Sequence, residues 1–251
     1  MKVQSELILE KQAENFRNIN GFDSDDPIRL KSLLQSLNII TWFVPIPEDF
    51  SGMALKVTNN TNTKRFILIN SSQSIGKQHF TICHELYHLY IQEDFSSKVC
   101  NTGIFNKKIQ EPEEYNADLF ARYLLLPNRG IIKNIPDEEL SKGKLTLPTI
   151  LHIEQLYSCS RSALLYSLKK MNLIQNDEYD LWCKNVKRSA AEYGYHTALY
   201  DSGNHHTYVG KYGVLAKELY NKDKISESHY YSLLADLGID LSKTDDVPNG
   251  G

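Results

Sequence analysis

Residues 80–90 read Phe-Thr-Ile-Cys-His-Glu-Leu-Tyr-His-Leu-Tyr, so His84, Glu85 and His88 stand in the spacing His-Glu-x-x-His. Residues four apart on a helix share a face, and both imidazoles can therefore reach one metal ion. Glu85 lies about 100° round the helix from His84, beside that ion. Its carboxylate is placed to take a proton from a bound water. Two neutral imidazoles suit zinc, which lowers the pKa of its water to about 7. Five residues alone occur by chance, but here they fall inside a helical apolar pattern. Phe80, Cys83, Leu86 and Tyr90 offer a face to a core.

A catalytic zinc keeps three protein ligands and an open position. The segment Glu113-Glu114-Tyr115-Asn116-Ala117-Asp118-Leu119-Phe120-Ala121 opens a second helix and offers Glu114 as the third ligand. Asp118 lies one turn further along the same face. It can accept the spare N–H of a ligating histidine. Ala117 and Ala121 are small enough to let this helix approach the one bearing His84 and His88. Glu113 is the rival ligand, but its phase does not share a face with Asp118. The bland alternative is an acidic helix start that suits the macrodipole. A structural zinc usually has four protein ligands; the sequence offers three, since Cys83 points away from the His84/His88 face.

The elements that must hold these residues follow from periodicity and capping. Helices are expected at 5–20, with Leu7, Ile8, Ala13 and Phe16 near one face, and from Asp26-Pro27, a good cap and first-turn pair. Ile39–Val44, Met53–Val57 and Arg65–Asn70 read as strands, the last two joined as a hairpin across the polar residues 58–64. Further helices are expected near 76–92, from Pro112 to Pro127, as two or three short pieces in 132–175, and near 178–192, 212–221 and 227–236. Residues 93–110 read as a polar, variable stretch, and 245–251 as a frayed end. The class is α+β and mostly helical, with a small three-stranded sheet.

Composition excludes several alternatives. The 251 residues carry 28 Lys+Arg against 31 Asp+Glu, a net charge of −3, which argues against nucleic-acid binding as the main role. With 41% hydrophobic and 24% charged residues the chain is neither disordered nor fibrous. No apolar run reaches the length of a membrane helix, and the first residues lack a signal-peptide core. Cys83, Cys100, Cys159 and Cys183 are widely spaced and are expected to stay thiols in the cytoplasm.

Residues 80–88, Glu114 to Ala121 and Leu124-Leu125-Leu126-Pro127 together resemble the ImmA/IrrE family of zinc metallopeptidases. Asp26-Pro27-Ile28, Ile67 to Ser72, Gln78-His79-Phe80 and Cys159 to Leu168 are similar to it more loosely; the last is like its helix-turn-helix segment. The resemblance covers roughly residues 20–175. It implies a zincin-like region at 1–127, a helix-turn-helix-like segment packed on it at 128–175, and a helical extension of unassigned role at 176–251. It implies one zinc on His84, His88 and Glu114, with Glu85 as general base. It further implies a protein substrate, a Cro/cI-type repressor whose cleavage relieves repression of mobile-element or stress-response genes. Two positions depart from the family. Tyr87 stands where glycine is frequent, and Ser167 where arginine is frequent.

Hydrolysis also needs a donor for the developing oxyanion. Tyr87, His152, Arg161 and Tyr166 are the candidates, although Tyr87 and His152 read more simply as packing. The strand Arg65–Asn70 is offered as a sheet edge for an extended peptide. His205-His206 reads as surface, because adjacent residues do not converge. The competing reading is a non-catalytic DNA- or protein-binding regulator that keeps the fold. Residues 128–175 carry only a modest basic surplus, and the helix from Ser160 to Met171 bears few phosphate contacts: Arg161, Lys169 and Lys170.

Overall fold

The computed structural model describes residues 3–47, 50–59, 62–93, 95, 98–100 and 111–237. Most of the expected polar stretch 93–110 and the expected frayed end lie outside these.

Helix α1 spans Glu6–Ile19 and buries Leu9, Ala13, Phe16 and Arg17. Ala13 and Phe16 face inward as expected, but Leu7 and Ile8 are 75% and 50% exposed and Leu9 is buried in their place. The reason is Arg17. Its buried guanidinium donates to the backbone carbonyls of Asp23, Asp26 and Leu124. Burial lowers the Arg17 pKa, opposed by the charges of nearby acidic groups. Engaging Asp23 and Asp26 also holds residues 23–26 out of helix. Helix α2 consequently starts at Leu30 and runs to Ser36, not from Asp26-Pro27. The Tyr157 hydroxyl donates to the Asp25 carbonyl, adding a third tie to the same loop.

The three expected strands form as β1 (Ile39–Val44), β2 (Gly52–Asn59) and β3 (Asn62–Asn70). Helix α3 follows at Ile75–Tyr90. Two short strands were not legible in the sequence: β4 (Lys98–Cys100) and, much later, β5 (Tyr208–Val209). The sheet order is β4-β2-β3-β1-β5. β2 and β3 pair antiparallel as the expected hairpin, and β1 lies parallel to β3. β3 is thus an interior strand with neighbours on both sides, not the edge proposed for peptide addition. β4 and β5 are too short to show periodicity, and their partners lie far away in sequence.

Helix α4 spans Pro112–Leu125 and packs along α1 and α3, with Ala117 and Ala121 fully buried. Short helices follow: α5 (Asn128–Lys133), α6 (Asp137–Lys142), α7 (Leu147–Tyr157) and α8 (Arg161–Lys170). Then come α9 (Asn176–Trp182) and α10 (Val186–Glu192) where one helix was expected, α11 (Tyr212–Asn221) and α12 (Glu227–Asp236). Among the described residues no helix is long and apolar enough to cross a membrane.

The core helix is α3, buried from Phe80 through Leu89. Its first turn is gripped from two sides. A Cβ on Gly76 would sit 2.8 Å from the backbone nitrogen of Ser160, in the turn between α7 and α8. On the other side, Ile75 N–H donates to the Asp201 carbonyl at 2.9 Å. Gln78 donates to Gly203 at 3.0 Å and accepts from Asn204 at 2.9 Å. Residues 201–209, from the expected C-terminal extension, therefore clamp α3 and close the β1 side of the sheet.

Gly76→Ala puts a methyl into backbone that has no room to yield. It should cost about 1–3 kcal/mol, read as a lower urea midpoint at unchanged slope. His79 gives a pH test. Its Nδ1–H donates to the Ser158 carbonyl at 2.7 Å, and burial depresses its pKa below 6.5. Its neutral form is the one the fold holds. Its contribution is therefore full above pH 6.5 and is lost as pH falls through the folded-state value. The drop in urea midpoint between pH 7.5 and about 5.5 should be smaller in His79→Gln, whose amide keeps the bond without charging.

Candidate metal centre

α3 carries His84, Glu85 and His88 on buried turns, and α4 brings Glu114 and Asp118 alongside. His84 Nε2 lies 3.2 Å from Glu114 Oε2, and His88 Nε2 lies 3.7 Å from Glu114 Oε1. The two Nε2 atoms are 3.1 Å apart. One ligand atom from each of His84, His88 and Glu114 falls within 4.8 Å of the others. The rival Glu113 is engaged elsewhere: its carboxylate accepts from the Tyr87 hydroxyl at 2.8 Å.

The outer faces of the imidazoles decide what this cluster suits. His84 Nδ1 lies 2.8 Å from Asp118 Oδ1, and His88 Nδ1 lies 2.6 Å from Gln92 Oε1. Both partners are acceptors, so each Nδ1 carries a hydrogen and both Nε2 atoms face the Glu114 carboxylate. Two ring nitrogens and a carboxylate thus converge at one buried point that a cation could occupy. This donor set, two nitrogens and one oxygen, fits a single metal ion held by His84, His88 and Glu114.

Glu85 is fully buried beside that point, and the sheet is shaped around it. A Cβ on Gly52 of β2 would fall 2.9 Å from Glu85 Oε1 and 2.5 Å from Thr81 Cγ2. Glycine alone allows the strand to pass so close. Buried Asn70 steers the chain into this passage. It accepts from Ile46 N–H at 3.1 Å and Ser72 N–H at 2.9 Å, and donates to the Phe50 carbonyl at 2.7 Å.

The remaining sequence candidates are dispersed. Tyr87 is fully buried, packed against Phe120 with ring centroids 5.7 Å apart. Burial raises its pKa, and Glu113 raises it further, so the phenol stays protonated. Arg161 is corrected as a substrate contact. It is buried in an ion pair with Glu154 and donates to the Trp182 carbonyl at 3.2 Å, so its charge is neutralised within the helix packing. His152 is corrected as a packed residue: Leu151 and Ile153 are buried, while His152 faces solvent on α7. Tyr166 is half-buried on α8, its ring 5.8 Å from the Lys170 ammonium. Cys83 adjoins the site in sequence, but burial pushes its thiol up to about 12, which keeps it protonated and a poor ligand. Ser71 Oγ and exposed His205 Nδ1 lie 3.0 Å apart at the clamp. Gln92, Phe95 and Gly52 were missed. For Gln92 a signal existed, since 84, 88 and 92 repeat at intervals of four.

His84, Glu85 and His88 on α3, packed under a mixed sheet, and Glu114 on α4 make a buried group that could hold a metal. Residues 45–169 match the family model Peptidase_M78, the IrrE N-terminal-like domain. The chain belongs to that family, the one its motifs resemble. No curated protein matches it in sequence.

Gly52→Ala tests the passage around Glu85. The methyl must displace Thr81 and the Glu85 carboxylate, and a misplacement near 1 Å lowers peptidase activity about 100-fold. Bound metal per chain, measured by elemental analysis, should not change. Unchanged activity would show that β2 does not set the Glu85 position.

Proposed function

We propose that this chain is a zinc-dependent endopeptidase, acting in the cytoplasm on a Cro/cI-type helix-turn-helix repressor and so relieving repression of mobile-element or stress-response genes. The observation that carries the peptidase reading is the buried convergence of His84, His88 and Glu114 next to Glu85. The repressor class rests on the family resemblance.

His84 and His88, through Nε2, and Glu114, through its carboxylate, would hold one zinc ion per chain. Zinc, when bound, supplies Lewis acidity that makes a water nucleophilic near neutral pH. The chain's own residues do the rest. Glu85 accepts the proton of the attacking water on a carboxylate oxygen as the water's oxygen bonds to the scissile carbonyl carbon. It then delivers that proton to the leaving amine nitrogen as the C–N bond breaks. Asp118 and Gln92 accept the Nδ1 hydrogens, which fixes the tautomer and ring orientation that leave each Nε2 to the metal. A site shielded from bulk water strengthens each of these interactions.

The test uses the full chain and a helix-turn-helix repressor of the Cro/cI type. Wild type should bind about one zinc and cut the repressor once or at few positions. Glu85→Gln should keep the zinc and lose cleavage by at least about 100-fold. His84→Ala should lose both. Retained cleavage in Glu85→Gln would reject the assigned base. Zinc binding without cleavage of any repressor would leave a metal-binding regulator that kept the fold.

A further inference from the structure

Helix α3 ends at Tyr90, yet the chain continues so that Gln92 still lies under His88. The Gln92 backbone N–H donates to the Tyr87 carbonyl at 3.0 Å, a closing bond of the helix end. From that fixed backbone the side-chain Oε1 reaches His88 Nδ1 at 2.6 Å. Phe95 lies against the imidazole, with centroids 5.6 Å apart and planes 26° from parallel. The Tyr87 ring meets it edge-on at 5.6 Å and 80°. The His88 ring is thus held at its Nδ1 edge and braced by two aromatic rings.

We propose that Gln92 is a positioning residue for the metal centre: it sets the tautomer and ring orientation of His88, and through them the affinity of the site for its metal. The inference rests on the metal reading above and goes beyond it. Neither the motif nor the family match assigns a role to Gln92. The two histidines are anchored differently. Asp118 accepts from His84 with a carboxylate, whereas Gln92 accepts from His88 with a neutral amide oxygen. An amide oxygen is a weaker acceptor than a carboxylate, so His88 is anchored by the weaker of the two partners. The side chain also has a second environment. Gln92 lines an open cavity of about 230 Å³ with Gln4, Gln12, Tyr87, Glu93 and Glu113. An exchange at Gln92 can therefore be accommodated without repacking the apolar core.

The experiment compares wild type, Gln92→Leu and Gln92→Glu as full-length, metal-stripped chains. Zinc affinity is read by competition with a chromophoric chelator, and the thermal midpoint of each metal-free chain is read alongside. Gln92→Leu removes the acceptor and should weaken zinc about 10- to 100-fold, with a small fall in the metal-free midpoint from the His88 hydrogen that loses its acceptor. Gln92→Glu restores an acceptor at the same reach and should bind zinc at least as tightly as wild type. Wild-type affinity in Gln92→Leu would overturn the proposal, as would an equal loss in both variants. Failure of the wild type itself to take up zinc would overturn the metal reading, and the role of Gln92 with it.

Discussion

Two imidazole lone pairs and a carboxylate meet inside this molecule at a point that water hardly reaches. Polar groups so placed are costly unless each is partnered. The surrounding fold supplies partners on the outer side, Asp118 for His84 and Gln92 for His88. With both Nδ1 atoms anchored outward, the two Nε2 atoms and the Glu114 carboxylate face one point and could hold a metal ion. Each anchor comes from a different place, one from α4 and one from beyond the end of α3. The site therefore exists only when both helices are docked.

Docking of α3 is what the architecture is built to achieve. It is covered on every side, and each contact works through a small residue or a polar tie. Gly52 lets β2 pass against Glu85 and Thr81, and Ala117 and Ala121 line the buried face of α4. Gly76 admits the turn between α7 and α8, and Gln78 binds the segment 201–209. A helix held this tightly has little freedom to shift its side chains, the condition for a preorganised catalytic group. The segment 201–209 lies outside the family-matched residues 45–169 but is joined to the same sheet and helix.

A buried arginine organises the start of the chain. Arg17 gathers three backbone carbonyls instead of a carboxylate, tying the end of α1 to the loop 23–26 and to the last turn of α4. Arg161 does the converse within the helix-turn-helix-like segment, where it pairs with Glu154 in a buried ion pair. Breaking such a pair from one side leaves an uncompensated charge, so both arginines are structural fixtures. Arginine read from sequence alone suggests surface or substrate contact. Burial changed that meaning for Arg161.

The sequence by itself determined the chemistry and the class. The His84-Glu85-x-x-His88 spacing, Glu114 and Asp118 were legible because helical periodicity fixes which side chains share a face, and both helices carry strong apolar patterns. The β2–β3 hairpin and helices α11 and α12 were legible for the same local reason. Tertiary structure decided what local rules do not reach. It placed β3 inside the sheet, because β1, some twenty residues earlier, pairs with it on the side away from the β2 hairpin. It moved the start of α2 from Asp26 to Leu30, because Arg17 holds the Asp23 and Asp26 carbonyls. It tied Glu113 to the Tyr87 hydroxyl, and it gave Gln92 and Gly52 their places beside His88 and Glu85. Each is a contact between residues far apart in the chain or beyond a helix end, and such contacts leave no periodic trace in a sequence.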